Sequence, residues 1–392
     1  MQNFCYSIPT KVYFGKGQIA NLGAAVKEYG TKALLTYGGS SIKRSGLYDQ
    51  VIQIFKDNGI EWVELAGIEP NPRVQSVQKG GELCKEHGVD VIVAVGGGST
   101  IDCSKAIAYA ANYDGDAWDF ISDPSMIESD KVLPLITVLT LAATGSEMDS
   151  GGVISNLELG QKLVVGNPAM LPKVSILDPT ITYTVSAYQT ASGTADIYSH
   201  ILESYFNTQE GTYMDDRCAE ALMKTVLHYG PIAVKEPENY EARANLMWAS
   251  SWAINGFIEM GKVNQWSVHN IEHQLSAQYD MPHGVGLAVL TPNWMKYILS
   301  DKTVDKFATY GINVFGLDAQ LDKYLIANTA IEATRAFFHS MGIIDKLSEY
   351  KDGVIDDSKF ELMAQTAYDE KGEGMYVPLS KDDIKKIYEM SL

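Results

Sequence analysis

Cysteine is scarce in this sequence. Cys5, Cys84, Cys103 and Cys218 are scattered among 392 residues, and no two of them form a CxxC pair. That excludes a disulfide frame or a zinc knuckle and reads as the reduced thiols of a cytoplasmic protein. Long apolar runs are absent as well. No stretch reaches the roughly eighteen residues that a membrane helix needs, so none is expected. The opening segment MQNFCYSIPTKVYFGKG has no basic stretch leading into an apolar one, so no secretory signal is expected. Positive charge is short: 31 Lys and Arg stand against 49 Asp and Glu, a net charge of −18. Nucleic-acid backbones and anionic membranes are therefore excluded as partners, since both call for clustered cations. Internal repeats and low-complexity tracts are also missing, and the acidic stretch from Asp123 to Asp130 reads as a solvated loop.

What is present is a chain long enough for two domains, with 46% hydrophobic residues to build their cores. Up to about residue 180, strand and helix signals alternate. Strands are expected at Lys32–Tyr37, Ile60–Ala66, Val89–Val95, Leu133–Thr140 and Val174–Leu177. Helices are expected at Leu47–Asn58, Val74–His87 and from about Ser99 to Tyr113. Such alternation implies a parallel sheet covered by helices. Beyond Asp178-Pro179-Thr180 strand signals fade. Helical spacing runs through Val185–Asn207, Tyr213–Tyr229, Asn239–Met260, Gln265–Tyr279, Leu321–Met341 and Lys381–Met390. The expected organisation is an α/β dinucleotide-binding domain over 1–182 and an all-helical domain over 183–392.

Gly96-Gly97-Gly98-Ser99 follows the most β-branched strand and opens a helix. Glycines there let a ligand approach the main chain, and the free N–H groups of a helix start suit a pyrophosphate. The pattern is not GxGxxG, so the common dinucleotide fingerprint is lacking. Asp102 and Lys105 follow on the first turns of the same helix. A second small-residue turn, Gly38-Gly39-Ser40-Ser41, ends the first clear strand. Ligands of doubly wound sheets bind at such strand ends. Lys43 and Arg44 come next, and no Asp or Glu ends the strand to hold a ribose 2′-hydroxyl. NADP(H) is favoured over NAD(H) on this ground. Thr140, Thr144 and Ser146 follow a third strand and could line the same groove.

The chain has seven histidines. Asp196 and His200 are four apart in GTADIYSHILESY, so they project from one helix face. His269 and His273 repeat that spacing in WSVHNIEHQLSAQYD, and His283 follows in DMPHGVG. Ionisable residues inside apolar helices are costly to bury unless paired or ligated. Three imidazoles and a carboxylate suit Zn²⁺, Fe²⁺ or a similar ion such as Ni²⁺ or Co²⁺. His87, His228 and His339 have no such companions and read as structural.

Taken together, GGGSTIDCSK (96–105), TLAATGSEMD (140–149), LDPT (177–180), GTADIYSH (193–200) and the His269/His273/His283 spacing resemble the iron-containing alcohol dehydrogenases. The likeness runs over essentially the whole chain and is strongest to bacterial butanol dehydrogenases and NADPH-dependent aldehyde reductases. It implies a Rossmann-like N-terminal domain and a helical C-terminal domain in a dehydroquinate synthase-like architecture, with the site in the cleft between them and dimers as the common assembly. It implies that Asp196, His200, His269 and His283 are metal ligands and that His273 stands by the nicotinamide and substrate. Gly97, Gly98 and Ser99 would bind the pyrophosphate. Asp102, Thr140, Thr144 and Lys162 would line the cofactor cleft, with Leu177 on the adenosine side. Leu141, Ala143 and the Tyr37–Ser40 turn depart from the pattern of many relatives, the last by lacking an acidic residue.

The expected reaction is reversible hydride transfer between NAD(P)H and a small alcohol or aldehyde of the butanol/butanal kind, with His273 carrying the proton. Trp266 is a candidate wall of the substrate pocket. A polyol or glycerol-type dehydrogenase, a metal-dependent hydrolase and a non-catalytic cofactor-binding protein are the alternatives.

Overall fold

A computed structural model describes all 392 residues. The chain forms two compact units. One is Ser7–Val185; the other is Ser186–Leu392 together with Met1–Tyr6. The first six residues join the helical unit through the Gln2 N–H, which donates to Gly261 O at 2.8 Å, and the Met1 amino group, which donates to Glu210 O at 2.6 Å.

The Ser7–Val185 unit holds a six-stranded, all-parallel sheet of β1 (Lys11–Phe14), β2 (Lys32–Tyr37), β3 (Glu61–Leu65), β4 (Val91–Gly96), β5 (Leu135–Leu139) and β8 (Val174–Leu177). Its order is β1-β8-β5-β4-β2-β3. An antiparallel hairpin of β6 (Gly151–Asn156) and β7 (Gln161–Gly166) stands apart. β4 reads VIVAVG and every residue in it is buried, as befits a central strand with helices on both faces. From β2 the chain moves outward to β3; from β4 it moves the other way to β5. The point of reversal lies between β2 and β4, where doubly wound sheets take their ligands. Both glycine turns leave from this point, one after Tyr37 and one at Gly96–Gly98.

The helical unit contains no strand. Its central helix, Ala187–Tyr205, is buried from Gly193 to Tyr205 and packs against helices Tyr213–Lys235, Tyr240–Ile254 and His283–Ile298. An aromatic core of Phe206, Trp294, Phe307 and Tyr310 closes beside it, with the Phe206 and Phe307 rings 4.7 Å apart. No helix of the chain is long and apolar enough to cross a membrane.

Several element bounds differ from the sequence reading. The helix expected at Asn239–Met260 stops at Ile254, where Asn255 and the left-handed Gly256 end it. The one expected at Tyr213–Tyr229 continues through Pro231 to Lys235. The one expected from Gln265 begins at Val268. Helices His283–Ile298, Val304–Phe315 and Phe360–Lys371, the short β1 and the β6–β7 hairpin are not among the elements expected from the sequence, although Val304–Phe315 is clearly amphipathic. His283–Ile298 is buried nearly all round, which erases the amphipathic pattern, and it contains Pro292. The Asp123–Asp130 stretch is mostly exposed and folds into two short 3₁₀ turns.

Candidate metal centre

Three helices supply the centre. Ala187–Tyr205 carries Asp196, His200 and Glu203 at spacings of four and three, so all three face the same way. Val268–Tyr279 carries His269, Glu272 and His273. His283 is the first residue of His283–Ile298, just past Pro282. The last helix comes close because residues 284 and 286 have no side chain. A Cβ at Gly284 would collide with the Ser192 carbonyl, and one at Gly286 would stand 2.7 Å from Glu272 Oε1.

Asp196 Oδ1 is the common point. It lies 3.6 Å from His200 Nε2, 3.8 Å from His269 Nε2 and 3.7 Å from His283 Nε2. The ligand atoms of Asp196, His200 and His269 all fall within 4.8 Å of one another. Those three side chains are buried and His283 is about one-fifth exposed. Asp196 Oδ1 and His269 Nε2 have no hydrogen-bond partner in the protein. Leaving buried polar atoms so costs about 1–3 kcal/mol each unless another group binds them. Four ligands about 2.1 Å from one ion stand about 3.4 Å apart in a tetrahedron, close to the spacings here. The donors of Asp196, His200 and His269 therefore fit a single divalent cation, and His283 Nε2 stands 3.7 Å from the carboxylate oxygen they share.

The electrostatics agree. Burial works against an Asp196 anion, yet His200, His283 and His269 together hold its carboxyl well below the usual range. Burial pushes His200 down to about 3. His269 is buried too, but the Asp196 and Glu203 carboxylates raise it to about 9. The sequence reading missed Glu203 and Glu272. His269 Nδ1–H donates to Glu203 Oε1 at 3.1 Å, and His283 Nδ1–H donates to Glu272 Oε2. The i, i+4, i+7 run of Asp196, His200 and Glu203 was the available signal.

His273 lies one turn after His269, half-buried, its ring centroid 5.5 Å from that of His283. The Trp266 ring sits 4.7 Å from His269 and 5.5 Å from His200. His228 packs on Tyr229 and His339 pairs with Asp345 at 3.4 Å.

The residues expected at a cofactor lie in the α/β unit. Gly97 precedes and Gly98 begins the Gly98–Ala110 helix, with Ser99 half-buried in its first turn. No Cβ fits at Gly98, where Thr144 presses close. Thr140 N–H donates to Gly96 O at 3.0 Å, which ties the third turn to the glycine turn. Leu177 ends β8 and is buried; Lys162 is buried on β7. Asp102 is pinned, accepting from Ser146 Oγ at 2.5 Å and from Val153 N–H at 3.0 Å, and burial raises it to about 6. Lys105 is wholly buried. Its ammonium donates to Asp149 and Gly151 O at 2.6 Å and to Ser146 at 2.8 Å, so it braces the turn rather than facing outward. Gly38 is half-buried, while Gly39, Ser40 and Lys43 are exposed. The Lys43 ammonium lies over the rings of Tyr37 (5.2 Å) and Tyr48 (4.7 Å), whose hydroxyls both donate to Glu64 at 2.6 Å.

The comparisons with known proteins agree across both units. The family model described as "Iron-containing alcohol dehydrogenase" matches residues 9–179, and "Fe-containing alcohol dehydrogenase family, C-terminal" matches 190–392. The chain is 54% identical to NADH-dependent butanol dehydrogenase A of Clostridium acetobutylicum, over 100% of both chains. It is 36% identical to the NADPH-dependent aldehyde reductase YqhD of Escherichia coli, over 99% of both. Among solved structures, NADH-dependent butanol dehydrogenase A of Thermotoga maritima superposes with a TM-score of 0.93 at 35% identity, covering 100% of this chain and 99% of that one. The chain belongs to the iron-containing alcohol dehydrogenase family and is a nicotinamide- and metal-dependent oxidoreductase of alcohols and aldehydes.

Proposed function

We propose that Asp196, His200, His269 and His283 hold one divalent ion, Fe²⁺ or Zn²⁺ foremost, and that the chain interconverts small primary alcohols and aldehydes such as butanol and butanal. The observation that carries this is the convergence of three imidazole Nε2 atoms within 3.8 Å of Asp196 Oδ1. A divalent ion in such a ligand set supplies Lewis-acid polarisation of a carbonyl oxygen. The chain's own residues do the rest. His273, one turn from a ligand, holds the proton that the alcohol oxygen gains in reduction and loses in oxidation. Trp266 presents an apolar face beside His200 and His269, suited to a short alkyl chain.

At the sheet, Gly97, Gly98 and Ser99 open a helix whose N–H groups suit a pyrophosphate, and their position at the point of topological reversal supports that role. Asp102, Thr140, Thr144, Lys162 and Leu177 are proposed to shape the remainder of the cofactor cleft. For the adenosine end, the turn Gly38-Gly39-Ser40 offers no carboxylate to a 2′-hydroxyl, and Lys43 stands next to it. This supports NADP(H) over NAD(H). The relatives at 54% and 51% identity are named as NADH-dependent, which supports the reverse choice. Kinetics with both cofactors decide it: a Lys43→Ala variant is expected to lose efficiency with NADPH and keep it with NADH. A cytoplasmic homodimer is the proposed setting, supported by the acidic surface, the isolated cysteines and the family resemblance.

The test of the function is oxidation of NADPH or NADH, followed by absorbance, with butanal and metal-replete protein. Turnover with either cofactor is expected. No consumption of either would contradict the proposal.

A further inference from the structure

Behind the metal-facing imidazoles stand two carboxylates whose geometry ties them to individual rings. Glu203 is 6% exposed. Its Oε1 accepts from His269 Nδ1–H at 3.1 Å and from the His269 backbone N–H at 2.8 Å, and its Oε2 accepts from the Ser267 backbone N–H at 2.7 Å. It thereby binds the start of the Val268–Tyr279 helix and the ring that this helix presents. It also lines a cavity of about 100 Å³ walled by Ser204, Glu259, Lys262, Gln265 and Trp266 among others. Glu272 is fully buried. It accepts from His283 Nδ1–H and from Ser276 Oγ at 2.7 Å, and the bare Cα of Gly286 leaves it room. His200 differs: its Nδ1 is buried with no hydrogen-bond partner.

We propose that Glu203 and Glu272 are positioning residues of the metal centre, each fixing one imidazole with Nδ1 protonated and Nε2 turned to the common point. This rests on the proposed metal site and names how its affinity is set. A neutral imidazole has two tautomers and a freely turning ring. An acceptor-only carboxylate on Nδ1 selects the tautomer whose Nε2 lone pair is free and makes that nitrogen a stronger donor. His269 and His283 are thus preorganised, whereas His200 is oriented by packing alone.

The test is metal affinity in Glu203→Gln and Glu272→Gln, which keep the side-chain size and remove the charge. Co²⁺ or Zn²⁺ is titrated into metal-stripped full-length protein against a chromogenic chelator. Each variant is expected to bind about 10–100-fold more weakly, the usual cost of losing such a partner. The visible spectrum of the Co²⁺ form is expected to shift, since ring orientation changes with it. Thermal unfolding of metal-free Glu272→Gln is expected to stay near wild type, while the rise in Tm on adding metal shrinks; a purely structural role would move the first and spare the second. Metal-free Glu203→Gln is expected to unfold earlier as well, since one amide oxygen cannot accept the N–H groups of both Ser267 and His269. Glu203→Asp is expected to recover part of the affinity. Should Glu272→Gln fail to fold, Ser276→Ala removes only the hydroxyl that holds the carboxylate, and a severalfold loss is expected. Wild-type protein binding one ion, with all variants binding it equally tightly and with an unchanged spectrum, would overturn the inference and leave the metal site standing. Wild-type protein binding no ion would overturn the metal site itself.

Discussion

Both units bury charge, and they do so differently. In the α/β unit, Lys105 has no exposed surface, and its ammonium reaches Asp149, Ser146 and the Gly151 carbonyl, all within 2.8 Å. Ser146 passes the link on to Asp102, which also takes the Val153 N–H. The donors and acceptors of this network answer one another. In the helical unit, Asp196 Oδ1 and His269 Nε2 are also buried but find no hydrogen bond, and three imidazole Nε2 atoms stand 3.6–3.8 Å from Asp196 Oδ1. Glu203 and Glu272 are fully engaged, but on the far side of the rings. A closed network braces a fold. A converging set of donors, two of whose rings are held from behind by carboxylates while Asp196 Oδ1 and His269 Nε2 find no hydrogen bond, is arranged to receive a further group.

The sharpest way to break this contrast is to remove a donor from each kind of cluster. His269→Ala is expected to lose metal and turnover together, the rate falling about a thousandfold or more, since several kcal/mol of charge stabilisation go with the ion. Metal content and kcat measured on one sample check it. His273→Ala, one turn away, is expected to keep the metal and lose about 10²–10⁴-fold in turnover as a missing proton carrier. Equal metal loss in the two variants would exchange their roles. In the α/β unit, Lys105→Met leaves Asp102 and Asp149 buried without their cation. It is expected to cost about 3–5 kcal/mol, read in chemical denaturation, with no change in metal affinity. A neutral result would mean that the network is slack rather than closed.

A smaller effect sharpens the electrostatic side. Carboxylates hold His269 up at about 9 in the metal-free protein, so its imidazolium must lose a proton before it can ligate. Metal association is therefore expected to strengthen with pH between about 7 and 9, roughly tenfold per unit for one proton, and to level off above. Chelator competition across that range measures it. A flat profile would mean that His269 is already neutral when the metal arrives.

Much of this contrast could be read in the sequence, for physical reasons that also mark where reading stops. VDVIVAV and KALLTY, each closed by glycines, announce central parallel strands because only strands buried on both faces are so uniformly apolar. Asp196 and His200 stood out because their spacing repeats the helix turn inside an apolar segment. The same period reaches Glu203, and it went unread because a glutamate in a helix is ordinarily a solvated residue. Glu272 was further out of reach. Its partner His283 belongs to another helix, and that contact depends on Gly286, a tertiary fact that no local period encodes. The sequence places Lys105 with the nucleotide turn, since a cation near a glycine loop suggests phosphate. Its actual partners lie more than forty positions away, on the turn from Ser146 to Gly151. The helix His283–Ile298 is not legible because near-complete burial removes the polar face by which helices are recognised.

The most direct measurement is the stoichiometry of divalent metal in purified wild-type protein beside Asp196→Ala, by elemental analysis of folded samples. The account predicts one ion per chain in the wild type and essentially none in the variant, because Asp196 Oδ1 is the atom shared by all three imidazole distances. Equal metal content in the two proteins would contradict it.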